Sequence, residues 1–307
     1  MGLIDNLLSP NAMDDFLKTV FLPLALMVIM FGMGMTLTPA DFKRVIFAPR
    51  AKFTGLANQL LLLPLVAFAL ARLFRLPGEL AVGLMLVAAC PGGPTSNVIS
   101  HLARGDTALS VTLTAISSVI TVFTIPLIMD LSMGHFMGAG EAIALPFGKT
   151  VVQLMMVTVL PIGGGMLMRR YRTALSRRLS RPVNIASVVF LALVILLAVL
   201  KEEDLAGQFA EAGLAALALN ALTMALGFGT AALLRLPLRQ RVTISIEGGI
   251  QNGTLALAIA LGILDSARIA VPAVVYSLLM FGSGGLMILA FGRRPATPAA
   301  EPVAEPV

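Results

Sequence analysis

Glu247 is the residue whose chemistry needs explaining first. It sits in the run RVTISIEGGIQNGTLALAIALGIL, otherwise apolar, and Gly248, Gly249, Gln251, Asn252, Gly253 and Thr254 follow at once. A charged side chain at the centre of a membrane helix costs about 2.5–3.5 kcal/mol on insertion scales, so a deep carboxylate marks a working site by default. Of the 16 Asp and Glu residues, only this one lies well inside an apolar run. Glu79, Asp106, Asp130, Glu211 and Asp265 fall near the ends of such runs or between them. Carboxylate, amide and hydroxyl oxygens are the ligands a hard cation takes, and they recur in the right places. Gln251 follows Glu247, Ser96 and Asn97 lie in PGGPTSN, and Gln59 is an amide inside another apolar run. Ser110, Thr114, Ser117 and Thr121 recur at i, i+4, i+7 and i+11, one face of a helix. A carboxylate can instead carry a proton, and hydroxyls in membrane helices often bond the carbonyl one turn back. The coincidence of all these groups with one acid favours a cation.

Catalysis is a poorer fit. His101 and His135 are the only histidines, both near the ends of apolar runs, and neither makes a zinc motif with Cys90, the single cysteine. No nucleophile elbow, P-loop, HExxH or paired deep aspartate is present. An intramembrane enzyme needs a nucleophile and a base within reach, and Glu247 has no histidine or second acid at its depth. Cys90 reads as a small buried hydrophobe. The 17 methionines read as filler, and Gly32, Gly34 and Gly163 to Gly165 as sites of close helix approach.

The elements that must position these groups are membrane helices. Of the 307 residues 58% are hydrophobic and 12% charged, against about 45–50% and about 25% in soluble proteins. Mean hydropathy is +0.93. A soluble fold cannot hide that much apolar surface. Reading for runs of roughly 20 apolar residues predicts nine spans, at 19–38, 53–74, 79–103, 106–129, 146–168, 183–200, 212–234, 241–264 and 269–292. Residues 1–18 carry three Asp and form at most a short surface helix outside the bilayer. The tail 293–307, rich in Pro, Ala and Glu, is expected to be disordered. The net charge of +6 is a matter of topology, and no nucleic-acid partner is needed to explain it. Sixteen of the 22 Lys and Arg residues follow odd-numbered spans, and Lys18, Arg72, Arg75, Lys149, Lys201 and Arg268 lie on the other side. That asymmetry predicts an outside N-terminus and a cytoplasmic C-terminus.

Two spans are interrupted. Span 3 carries Pro91, Gly92, Gly93 and Pro94 at mid-membrane, and span 8 carries Glu247 to Thr254. Proline removes an amide donor and clashes with the preceding turn, and glycine costs about 1 kcal/mol within a helix. Lipid offers the freed backbone groups no partners. Spans 3 and 8 differ by an odd number and so cross the membrane in opposite directions. Matched breaks of that kind point to an inverted-repeat carrier, whose half-helix ends offer opposite partial charges to an anion and a cation.

The segments FGMGMTLTPADF (31–42), CPGGPTSNVISHLARGDTALSV (90–111) and SIEGGIQNG (245–253) resemble the signature segments of the bile acid:sodium symporter family. The similarity runs from about residue 25 to 290. It implies an all-α integral membrane protein in which a panel of spans 1, 5 and 6 stands beside a core of spans 2–4 and 7–9, with the broken helices 79–103 and 241–264 crossing in the core. By position it implies one sodium site at Ser96, Asn97, Ser110, Thr114 and the Glu247 side chain. A second would use Gln59 and Gln251, with backbone oxygens of Glu247, Gly248 and Ile250. Asn252, beside Gly93 and Pro94 at the crossover, matches a substrate-contacting asparagine. Pro94 stands where bacterial relatives often have a hydroxyl residue, and Leu279, Met280 and Phe281 stand where they often carry a Trp-His-Asn cluster. The resemblance therefore implies a sodium-coupled symporter of organic anions in the bacterial inner membrane, for bile-acid-like substrates or small carboxylates of the pantoate type, with no oligomer required. Proton coupling and an efflux carrier of related architecture are the alternatives.

Overall fold

In the computed structural model, residues 20–38, 49–138, 146–176, scattered positions between 178 and 193, and 205–292 are described. Residues 1–18, most of the expected sixth span and the tail 293–307 lie outside them. Among the described residues every regular element is a helix: α1 (Leu22–Gly34), α2 (Pro49–Leu73), α3 (Gly78–Ala89), α4 (Pro94–Leu102), α5 (Thr107–Phe136), α6 (Phe147–Tyr171), α7 (Leu205–Leu233), α8 (Leu238–Gly249), α9 (Gly253–Gly262) and α10 (Ala267–Phe291). Five of these, α2, α5, α6, α7 (from Phe209) and α10, are long and apolar enough to cross a membrane. The chain is a multi-pass membrane protein.

The two interrupted runs do break where the sequence predicts. Run 79–103 becomes α3 and α4, and run 241–264 becomes α8 and α9. Each break satisfies the other. Asn252 N donates to the Pro91 carbonyl at 2.9 Å, and Gly92 pairs with Gln251 in an isolated antiparallel bridge. Backbone groups freed at one interruption thus find partners at the second, where lipid would supply none.

The chain segments around the breaks run in register at a constant offset of 160 positions (75 to 235, 77 to 237, 106 to 266). Arg75 and Arg235 both take the left-handed conformation, at φ 52° and 56°. The next residue closes the helix end in each case, Leu76 N to Ala71 O and Leu236 N to Ala231 O, both at 3.0 Å. Pro77 and Pro237 then share ψ 148° and start helices of 12 residues. Asp106 and Ser266 each cap the helix that follows, accepting from Leu109 N and Ile269 N.

Close approach occurs where glycine permits it. A Cβ on Gly34 would lie 2.1 Å from the Ile162 carbonyl, and one on Gly165 would lie 2.2 Å from that of Phe31, so α1 and α6 touch backbone to backbone. Gly163 faces open space and plays no part in that contact. Met30, Met33, Met129 and Met133 fill the core, as does Cys90.

Candidate functional site

The Glu247 carboxylate, 1% exposed, lies in the last turn of α8 before the break. Ser110 Oγ, from the first turn of α5, is 2.5 Å from its Oε1 and 2.8 Å from Asn97 Oδ1 on α4. Thr114 Oγ1, one turn further along α5, donates to Glu247 Oε2 at 2.9 Å and lies 3.4 Å from Asn97 Oδ1. Ser96 Oγ lies 3.5 Å from Thr114 Oγ1, and its own proton goes to the Gly93 carbonyl at 2.8 Å. Three helices thus bring six side-chain oxygens together, and acceptors outnumber protons. Ser110 has one proton for two acceptors, and lone pairs face lone pairs. Positive charge is what such a cluster lacks.

The space for it is set by Gly92. A Cβ there would meet Glu247 Oε2 at 2.7 Å, Thr114 Oγ1 at 3.3 Å and Ser96 Oγ at 3.5 Å. The missing side chain keeps the α3–α4 break open above the oxygens. The donor set is all oxygen, which fits a hard cation such as sodium and would suit a soft metal poorly.

A second cluster adjoins the first. Asn58–Leu62 forms a π-helical turn inside α2, an irregularity common at functional sites. It carries Gln59, whose Nε2 donates to Gln251 Oε1 at 3.3 Å. Gln251 Nε2 in turn reaches the carbonyls of Glu247 at 3.1 Å and Gly248 at 3.0 Å. Gln59 Oε1 is buried and unpartnered, a spare acceptor beside backbone oxygens now held by an amide. These neutral oxygens also fit a hard cation. Ile250 is buried at the end of α8 and donates its N–H to Ile246.

At the crossing, Asn252 caps α9. Its Oδ1 accepts from Leu255 N at 3.1 Å and from Thr254 Oγ1 at 3.0 Å, while its Nδ2 is buried without a partner. Gly93 is extended, a Cβ there would lie 3.6 Å from Asn252 Cα, and Pro94 starts α4. Two half-helix N-termini therefore meet beside an unspent amide donor. A narrow gap between α1, α5, α6 and α9 comes as near as Pro91 and Leu255, next to this crossing. Pro91, Ser118, Thr121, Thr158 and Leu255 are among its lining residues.

The hydroxyl face of α5 divides. Ser110 and Thr114 turn to Glu247, whereas Ser117 and Thr121 bond carbonyls of their own helix, at 3.2 and 3.4 Å. Sequence reasoning passed over Asn220 on α7 and Tyr276 on α10, which meet at the Gly249 carbonyl. The available signal was slight: Asn220 is an amide inside an apolar run, and Tyr276 is one of only two tyrosines.

Residues 23–208 match the Sodium Bile acid symporter family. The chain belongs to this family. It is a membrane transporter and not an enzyme. The "Uncharacterized sodium-dependent transporter YocS" of Bacillus subtilis (strain 168) is 31% identical over 278 residues, 89% of this chain and 84% of that protein. A match of that length necessarily spans α8 and Glu247, which lie beyond the family match. The "Probable sodium/metabolite cotransporter BASS2, chloroplastic" of Oryza sativa subsp. japonica is 29% identical over 303 residues, 97% of this chain and 70% of that protein. "Sodium/bile acid cotransporter 4" of Homo sapiens is 31% identical over 245 residues, 78% and 55% of the two chains.

Proposed function

We propose that this family member is a sodium-coupled symporter of organic anions. The observation that carries the reading is the six-oxygen cluster around Glu247, short of positive charge and held open by Gly92. Sodium is the coupling ion at Ser96, Asn97, Ser110, Thr114 and Glu247, and a second ion sits among Gln59, Gln251 and the carbonyls of Glu247, Gly248 and Ile250. The names of the bacterial, plant and human relatives support sodium as that ion. Ions at the break neutralise the carboxylate and order both half-helix ends. That order favours an anionic substrate at Asn252, Gly93 and Pro94, where N–H groups and helix dipoles attract negative charge. Nine spans with the N-terminus outside, an inverted repeat and a panel of spans 1, 5 and 6 rocking against the core complete the reading. The 160-residue register supports the repeat. In a bacterium such a carrier belongs in the inner membrane.

The replacement of the relatives' Trp-His-Asn cluster by Leu279, Met280 and Phe281 turns the reading from bile acids toward smaller carboxylates. The test is uptake of radiolabelled pantoate and taurocholate into proteoliposomes under an inward sodium gradient. Pantoate uptake is expected to be abolished when choline replaces sodium and in Glu247→Ala. Uptake driven by a pH gradient without sodium would make the coupling ion a proton. Uptake undiminished in Glu247→Ala would remove the site altogether.

A further inference from the structure

Helix α8 ends in two glycines, and its last carbonyls have no continuing turn to bind them. Ile246 O takes the N–H of Ile250. The next two carbonyls, of Glu247 and Gly248, receive the Gln251 amide. The last, of Gly249, is treated differently. Asn220 Nδ2 donates to it from α7 at 2.7 Å, and Tyr276 Oη donates to it from α10 at 3.0 Å. The two donors lie 3.5 Å apart and each residue is 1% exposed. One carbonyl therefore has both lone pairs filled by helices outside the break, while its two neighbours are left to an adaptable side-chain amide.

We propose that Asn220 and Tyr276 are positioning residues for the amide-centred ion site. By saturating the Gly249 carbonyl they remove it from the choices open to the ion, which leaves the Glu247, Gly248 and Ile250 carbonyls as the backbone ligands. They also fix a glycine pair that would otherwise lose much conformational freedom on binding. The fit against α7 is tight: a Cβ on Gly249 would lie 2.2 Å from Met224 Cγ and 3.4 Å from Asn220 Nδ2. Glycine is therefore required where the clamp holds, and the ordering it would cost the ion is supplied by α7 and α10 in advance. This proposal rests on the sodium reading above and adds to it two residues that touch neither ion.

The experiment is equilibrium binding of radioactive sodium to the purified full-length chain in lipid nanodiscs, with choline holding ionic strength constant. Two binding components are expected in the unmodified chain, the amide-centred one assigned by its loss in Gln59→Ala. Tyr276→Phe, which removes one oxygen atom, should raise the half-saturating sodium concentration of that component about fivefold, the effect of one lost hydrogen bond. Asn220→Ala should raise it further. Both should leave the Glu247 component in place. Ser245→Ala is the control, since Ser245 Oγ donates to Met224 O at 2.8 Å across the same α7–α8 contact but away from the break. It should lower the sodium-free melting temperature and leave both components alone. If Tyr276→Phe and Asn220→Ala behave like Ser245→Ala, the residues are ordinary packing and the proposal fails while the sodium sites stand. If the unmodified chain binds no sodium, the sodium reading fails and takes the proposal with it.

Discussion

The stretch α2–α5 and the stretch α7–α10 share their helix order and turn conformations, yet their side chains build a polar cluster at only one of the two places where the stretches meet. At the 160-residue offset, left-handed Arg75 answers Arg235, Pro77 answers Pro237, and capping Asp106 answers Ser266. The side chains of the carboxylate cluster have no such counterparts. Glu247 corresponds to Val87, Ser96 to Ala256, Asn97 to Leu257, Ser110 to Ala270 and Thr114 to Val274. All five counterparts are buried in one hydrophobic cluster. The matched turns flank two breaks that pair, and the polar side chains occupy only one of the two corresponding positions. A second carboxylate would need hydroxyl and amide partners of its own, and the other position has none.

Moving the acid tests that difference most severely. Val87→Glu places a carboxylate at the equivalent position among Ala256, Leu257, Ala270 and Val274. With no partner to donate to it, the buried charge is expected to cost about 3 kcal/mol or more. Little folded protein should be recovered, as judged by a monodisperse peak in size-exclusion chromatography. Val87→Glu protein that is recovered in normal yield with its melting temperature unchanged would mean that the apolar position is wetter than its side chains imply.

A milder exchange concerns one hydroxyl. Ser110→Ala removes the 2.5 Å contact to Glu247. It should raise the half-saturating sodium concentration about tenfold, in line with a hydrogen bond to a charged group. The reciprocal Ala270→Ser puts a hydroxyl into the apolar position, where it can bond the carbonyl one turn back. It should lower stability by about 1 kcal/mol at most and leave the sodium dependence unmoved. Equal effects of the two on sodium would erase the distinction between the two positions.

Much of this arrangement was legible in the residues, and for definite reasons. A charge in an apolar run is conspicuous because insertion penalises it, so Glu247 stood out, as did the two breaks with their Pro and Gly. Helical spacing put Ser110 and Thr114 on one face and the span 3 break pointed to Ser96 and Asn97, whereas joining these four to Glu247 as one site came from the family resemblance. Spacing could not say which hydroxyls reach Glu247: Ser117 and Thr121 share the face but lie further along α5 and bond carbonyls of their own helix. Asn220 and Tyr276 escaped because each is a single polar residue whose partner is a backbone carbonyl, and a carbonyl leaves no trace in composition. The matching turns escaped because the two stretches share conformation there and almost no side chains, Arg-Leu-Pro at 75–77 and 235–237 being the clearest likeness. Span count, sidedness and the panel rest on charge and family likeness, since most of the sixth span lies outside the described residues.

The smallest expected effect tests the part of the comparison that the halves share. Asp106 Oδ1 accepts from Leu109 N at 3.0 Å, and Ser266 Oγ accepts from Ile269 N at 3.2 Å. Ser266 also donates to Glu79 Oε1 at 2.8 Å. The nearby Arg268–Glu79 pair, at 3.8 Å and partly exposed, adds little. Asp106→Ala and Ser266→Ala should each cost about 1 kcal/mol, as the loss of a helix N-cap does. Their costs should be similar, because each cap starts a long helix directly after a broken one. Sodium dependence should be unchanged in both, because neither cap touches the clusters at the break. Thermal melts with and without sodium measure both quantities. A cost several times larger in one half, or a shift in sodium dependence from either cap, would show that the repeated turns do more than start α5 and α10.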